Sequence, residues 1–530
     1  VKINSNPLIL RKPFENQRGQ ALVVLLLLLV LGAGTAFYFF VSPASSAVER
    51  DKVTAAALAQ AKAALIGYAV GVNFSGGSER PGDLPCPDLN DSGVFGSPNC
   101  NTQATRIGRL PWRSLGLPDL RDGDGERLWY AVSNNFKKDT RTSCISPSDA
   151  GCLNSDTRGT ITVRNNAGLL IHDGSNPDPH TPSGVIAVIF APGAVLQRLG
   201  AATPQDRSCN GGTCTAAGVC NAPATNVAKC NPVNYLDVVG PPVMTVAGAT
   251  ASTEDNAGFL DGSNADGFIN GVIRDANGKI VVNDRLITIT YEDLMPLLER
   301  RVAKEAYNCV AAYGAASNGR FPWAASVSAS ASGDYSSVQN ERFGRMPDSF
   351  AQTLLGLISP TSMAIADIIL RGVVTTVCTT SPSTCMSNNW PNASVSYPCN
   401  ITTGSWWRNW KEQVFYGVAD AYKPAATVQI LPPAVTTPAP APCDGIAGNY
   451  DCLAVSPPTA NTVDDKRFVV IVSGKRLSSV SGGQPRSSLA DKQNPANYLE
   501  DENGNNTGTS NIYGQQLPTA TFNDTLLFLQ

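Results

Sequence analysis

The chain has 530 residues, a formal net charge of −3 and only 16% charged residues. It contains no block of lysine and arginine, so charge gives no footprint for a nucleic-acid partner. Apolar residues reach 42%, alongside 47 glycines and 37 prolines, which excludes a disordered chain and suits an exported, loop-rich body with real cores.

Residues 1–19 form a basic leader with Lys2, Arg11, Lys12 and Arg18. A charge-free run follows from Ala21 to Val41, with Leu22, Val24 and Leu27 inside it. At the α-helical rise that run spans roughly 31 Å, the thickness of a bilayer's hydrocarbon core. Beyond it Glu49, Arg50, Asp51 and Lys52 cancel, so the positive-inside bias puts the N-terminus in the cytoplasm and the body outside. We expect a transmembrane helix over 20–47, with membrane lipid as a partner. Leu58, Ala61, Leu65 and Ile66 then recur at helical spacing, so the helix is expected to continue to about Ala69, with Ser42-Pro43 as a tolerated kink. The competing reading is a signal peptide cut near Ser45-Ser46-Ala47, although an h-region usually has only about 7–15 apolar residues.

Arg18-Gly19, then Gln20-Ala21-Leu22-Val23-Val24 and an apolar helix, resembles the start of type IV prepilins and type II secretion pseudopilins. The resemblance implies cleavage between Gly19 and Gln20 by a prepilin peptidase, an inner-membrane location with the body periplasmic or extracellular, and other pilin-like subunits as partners through the N-terminal helix. The chain departs from that pattern at two positions. Gln20 replaces the usual Phe or Met, and Val24 stands where mature subunits carry Glu. Members lacking that Glu are typically minor, tip-type subunits. The segments Leu84-Pro85-Cys86-Pro87-Asp88 and Gly108-Arg109-Leu110-Pro111-Trp112 are similar to segments of large pilin-like proteins.

The body carries an internal repeat. Arg106-Ile107-Gly108-Arg109-Leu110-Pro111 returns as Arg342-Phe343-Gly344-Arg345-Met346-Pro347, and each copy is preceded by a partner motif, Leu84-Pro85 or Phe321-Pro322. Glu126 to Val132 returns as Glu412 to Val418, and Val185 to Ile189 matches Phe468 to Val472. Asn231-Pro232-Val233-Asn234-Tyr235-Leu236-Asp237 returns as Asn494-Pro495-Ala496-Asn497-Tyr498-Leu499-Glu500, and Asn283-Asp284 returns as Asn523-Asp524. The second copy opens with its own amphipathic helix, in which Leu294, Leu297, Leu298, Val302, Ala306 and Val310 form an apolar face. Short β-branched runs follow each helix. The expected fold is therefore α+β: two tandem units, each a helix laid on an antiparallel sheet, over 48–290 and 291–530, the second with an insertion at 348–411. The pilin fold has the same design.

The chain has fourteen cysteines, and those of five pairs close in sequence lie in Gly-, Pro-, Ser- and Asn-rich loops. Cys144 and Cys152, Cys209 and Cys214, Cys220 and Cys230, Cys378 and Cys385, and Cys443 and Cys452 are close in sequence, and Cys86, Cys100, Cys309 and Cys399 complete the set. Loop-clipping disulfides in an oxidising compartment are expected. Zinc is the rival, but no pair forms C-x-x-C and the chain has only His172 and His180.

Acidic, glycine-rich loops at Asp88, Asn90 and Asp91, at Asp119, Asp122 and Asp124, and at Asp261, Asn264 and Asp266 have two readings. Asx side chains cap turns for backbone reasons, and alternate oxygens also suit structural calcium. No other cofactor is indicated. No G-x-S-x-G or H-E-x-x-H motif occurs, and His172-Asp173 reads as a strand end, so an enzyme is not expected. Trp406, Trp407 and Trp410 read as packing or as an aromatic platform for a partner. The expected function is that of a minor pilin- or pseudopilin-like structural subunit of an envelope filament. The alternative is a signal-anchored adhesin or binding protein that never enters one.

Overall fold

The computed structural model describes the chain from Gln17 to Gln530 except for 73–79, 97–99, 139–151, 176–183, 198–202, 210–213, 216–219, 221–227, 238–255, 259–260, 263–266, 317–318, 339, 349–404, 425–439, 441, 444–450, 457–463, 478–482, 507, 509 and most side chains before Ser46. The N-terminal helix α1 runs from Gln17 to Gly71 without a break, 55 residues in all. At ~1.5 Å per residue that is about 80 Å, more than twice a bilayer core, so one rod is long enough to cross lipid and still cover a sheet. Its Ser46–Gly71 part alone is long and apolar enough to cross a membrane, with a mean hydropathy of 1.4. Ala57, Leu58, Ala61, Leu65 and Ala69 of that part are nevertheless core residues of the body.

The first unit follows α1. Its strands are β1 (Ile107–Arg109), β2 (Trp129–Val132), β3 (Val163–Asn165), β4 (Leu170–His172), β5 (Ala187–Ala191), β6 (Phe268–Asn270), β7 (Ile273–Arg274), β8 (Ile280–Val282) and β9 (Arg285–Ile289). Helix α2 (Tyr291–Ala316) opens the second unit, followed by β10 (Phe343–Arg345), β11 (Val414–Val418), β12 (Leu453–Ser456), β13 (Asp464–Lys466), β14 (Phe468–Val472), β15 (Ile512–Gly514) and β16 (Thr525–Leu529).

Each unit has one main sheet of four antiparallel strands, β1-β2-β5-β9 in the first and β10-β11-β14-β16 in the second. The registers correspond residue by residue. Tyr130 lies opposite Gly108 and Ile189, and Tyr416 lies opposite Gly344 and Val470. Glycine is required at both edges: a Cβ on Gly108 would sit 2.8 Å from the Asp88 carbonyl oxygen, and one on Gly344 would sit 2.0 Å from that of Ala325. The third strand corrects the sequence alignment. Val132 pairs with Ala187 and Val418 with Phe468, so Ala187–Ala191, not Val185 to Ile189, is the counterpart of Phe468–Val472. A shift of two keeps every side chain on its face, so an aliphatic run does not fix its own alignment.

Strand alternation builds two cores. Ala187, Ile189 and Ala191 face the core that contains α1, while Val188 and Phe190 join Trp129, Tyr235, Leu236 and Phe268 on the other side. Helix α1 lies on β5 and β9, α2 lies on β14 and β16, and the helices pack on each other. The core under them is continuous across both units. On α2 the expected face holds at Leu294, Leu298, Val302, Ala306 and Val310, but Leu297 is exposed.

Each unit also has a small sheet, β4-β3-β6 in the first and β13-β12-β15 in the second. Here the expectation of purely antiparallel pairing fails, because β3 with β6 and β12 with β15 run parallel. The register breaks at the same point in both, between Val163 and Arg164 and between Leu453 and Ala454. Strands β7 and β8 form a hairpin in the first unit. The molecule is thus mixed α+β with a long apolar N-terminal helix.

Candidate functional site

Where α1 meets the body, polar contacts fix its direction. Asp51 pairs with Arg285 at 2.7 Å, Lys62 with Asp293 at 2.8 Å and Arg50 with Asp124 at 3.4 Å. The Gly123 N–H donates to the Thr54 hydroxyl at 2.9 Å. Lys62 ties α1 to α2, and the other contacts tie it to the first unit. The half-exposed pairs add little stability individually, but together with the buried stripe they hold the rod at one angle. Gly19 and Gln20 fall in the first turns of α1. Ala21, Leu22, Val24, Leu27 and Val41 are helical, with side chains outside the described residues.

The acidic loops are used locally. The Asp88 carboxylate accepts the Asn90 and Gly93 N–H groups at 3.0 and 2.6 Å. That of Asp122 accepts those of Asp124, Glu126 and Gly193 at 3.0, 2.9 and 2.8 Å. Burial pushes both carboxyls up, against these N–H bonds. Asn90 accepts the Ser92 N–H. Asp91 pairs with Arg127 at 2.9 Å and Lys229 at 3.1 Å. Burial raises the Asp119 carboxyl, but bonds from Arg127 and Arg121 outweigh it and hold it below the usual range. Asp261 pairs with Arg106 and accepts the Asn134 N–H. Asn264 and Asp266 lie outside the described residues. Among the described residues no three His, Cys, Asp or Glu side chains converge as metal ligands would.

The disulfides are Cys86–Cys100, Cys209–Cys214, Cys220–Cys230 and Cys443–Cys452, and Cys152 and Cys309 are also disulfide-bonded. Cys144, Cys378, Cys385 and Cys399 lie outside the described residues, as does 349–404 of the insertion. Trp406, Trp407 and Trp410 lie on the short helix Ser405–Trp410 and are buried, so they pack the core and form no exposed platform. On the same helix the Asn409 side chain accepts the Leu153 N–H at 2.7 Å, joining the units.

Sequence reasoning missed a buried polar cluster that occurs twice. In the first unit the Asp237 N–H donates to Asp284 Oδ2 at 2.7 Å, and the Asn283 N–H donates to Asp237 Oδ2 at 2.8 Å. Gln205 Nε2 reaches Asp237 Oδ1 at 2.9 Å, and Asn256 Nδ2 reaches Asp284 Oδ2 at 3.0 Å. In the second unit Glu500, Asp524, Asn523, Gln484 and Asn503 make the same four bonds at 3.1, 2.9, 2.7 and 3.0 Å. Arg207 and Arg486 brace the corresponding loops through the Asn234 and Asn497 carbonyls. The readable signal was Gln205-x-Arg207-Ser208 against Gln484-x-Arg486-Ser487, just ahead of the Asn-Pro block.

A cleft of ≈ 850 Å³ lies between α2 and the β16 side of the second unit, lined among others by Tyr291, Glu299, Arg300, Lys304, Lys475 and Asp524. Burial pushes the Glu299 carboxyl up to about 8, against a 3.0 Å bond from the Tyr291 hydroxyl.

No family model, no curated protein and no solved structure matches the chain.

Proposed function

We propose that this chain is a membrane-anchored, pilin-like structural subunit of an envelope filament, of the minor type, whose N-terminal helix holds it first in lipid and then among the helices of sister subunits. The observation that carries the reading is α1: one unbroken helix from Gln17 to Gly71, socketed by Ala57, Leu58, Ala61 and Leu65 in the body. A rod fixed in a rigid head transmits position from membrane to body, which is what an assembling subunit requires. The duplicated body, with a core continuous across both units, supports a capping place, because so large a head would crowd a repeating shaft. The acidic loops keep structural calcium as a lesser part of the reading.

Replacing Gly19 with a bulky residue tests it. The expected result is an unprocessed chain that stays in the inner membrane and drops out of the filament. Unchanged mass together with unchanged assembly would leave the anchored adhesin as the better reading.

A further inference from the structure

We propose that each unit binds one proton between its two buried carboxyl groups, Asp237 with Asp284 and Glu500 with Asp524, and that this proton locks the loop carrying the Asn-Pro turn onto the last strand of the sheet.

The geometry is the argument. The two carboxyl groups of each pair are tied together by crossed backbone bonds: the Asp237 N–H donates to Asp284 and the Asn283 N–H to Asp237, and the Glu500 N–H donates to Asp524 and the Asn523 N–H to Glu500. Asp237, Asp284, Glu500 and Asp524 are 4%, 0%, 3% and 6% exposed. Four N–H donors enter each pair, and they reach only three of its four oxygens. Among the described residues the oxygen left without a donor is Oδ1 of Asp284 in one unit and Oδ1 of Asp524 in the other. A buried acceptor missed identically in both copies is a property of the design. Two adjacent buried carboxylates with no cation between them resist ionising together, whereas one proton supplies the absent donor and removes one charge.

The surroundings leave that proton in place. Beside the first pair Arg207 donates to Gln205 at 2.9 Å and is itself paired with Glu126 at 3.1 Å. Around the second are Arg486, paired with Asp156, then Lys475, paired with Glu292, and the Glu299 carboxyl with Tyr291. Burial and mutual repulsion raise both pairs above the ordinary carboxylate range. For a raised pair, stability is complete below the unfolded value and is lost as pH climbs through the folded one.

The test uses the full chain in detergent micelles. Infrared difference spectra at about pH 7 between the wild type and Asp284→Asn, and between the wild type and Asp524→Asn, should each lose one protonated-carboxyl band; subtraction removes the separate Glu299 contribution. Between about pH 5 and pH 9 the wild-type folding equilibrium should weaken by up to ~10-fold per pH unit for each pair, and each Asn variant, whose amide supplies the missing N–H, should remove its share. If a variant fails to fold, the wild-type spectrum still decides, with Glu299→Gln accounting for the remaining buried acid. Absence of protonated-carboxyl signal at neutral pH would overturn the proposal. So would a midpoint that falls on chelator treatment and returns with calcium, which would make the bound species a cation.

Discussion

Arg486 and Asp156 meet at 2.9 Å across the seam between the two units, the guanidinium fully buried and the carboxylate part-exposed. The same guanidinium donates to the Asn497 carbonyl at 2.6 Å and the Gly474 carbonyl at 3.2 Å. A loop of the first unit therefore completes the brace of the second unit's carboxyl pair. Its counterpart Arg207 instead pairs with Glu126 of its own unit.

Asp156→Ala leaves Arg486 buried without that partner, a loss that costs about 3–5 kcal/mol when a buried pair is broken. The Gln413 side-chain Oε1, 3.2 Å from Arg486, softens it, while Arg476, 3.4 Å from Asp156, loses the same carboxylate, so about 3 kcal/mol is expected. Denaturant unfolding measures the loss, and it should appear in hydrogen exchange of β14 and β16 ahead of β5 and β9.

Arg345 lies 4.0 Å from the ring centres of both Phe415 and Tyr498, and Arg109 lies 4.6 and 4.0 Å from those of Trp129 and Tyr235. A planar cation between two rings is not replaced by an ammonium. Arg345→Lys should lower stability by ~1–2 kcal/mol, and thermal unfolding of the single variant checks it.

Leu65 is fully buried beneath α1, while Val53 on the same helix is 43% exposed. Leu65→Ala should cost about 2–5 kcal/mol by opening a cavity, and Val53→Ala less than ~0.5 kcal/mol. Limited proteolysis near Gly71 should speed up in the first variant alone, because the rod then leaves its socket.

Glu299 titrates at about 8 because burial favours its neutral form, against the Tyr291 bond. A raised folded value means that its stabilisation is complete below the ordinary glutamate range and is lost as pH rises through about 8. Glu299→Gln should therefore resist alkaline weakening between about pH 6 and pH 9, read from unfolding midpoints across that interval.

The repeat was legible where a residue type is imposed by close backbone approach or by a turn. Gly108 and Gly344 share the first condition, and the Asn231 and Asn494 caps, each accepting the N–H two residues on, share the second. Aliphatic strands carried the repeat but not its alignment, hence the two-residue error at β5. The parallel pairs were not legible, because Val163–Asn165 and Leu453–Ser456 have no common string and find their partners over about a hundred and about sixty residues. The proton-binding cluster was half visible: the blocks ending in Asp237 and Glu500 stood out and Gln205 and Gln484 share a short Gln-x-Arg-Ser motif, but Asn256 and Asn503 are isolated residues that only the fold assembles. Edge strand β4 diverges from its counterpart, carrying exposed Leu170 and Ile171 where β13 carries the acidic Asp464 and Asp465.

An intact-mass measurement of the mature chain, recovered from fractionated envelopes, tests the central claim most directly. The account expects a membrane-bound species beginning at Gln20, with α1 retained from that residue onward. A freely soluble species beginning near Val48 would contradict it.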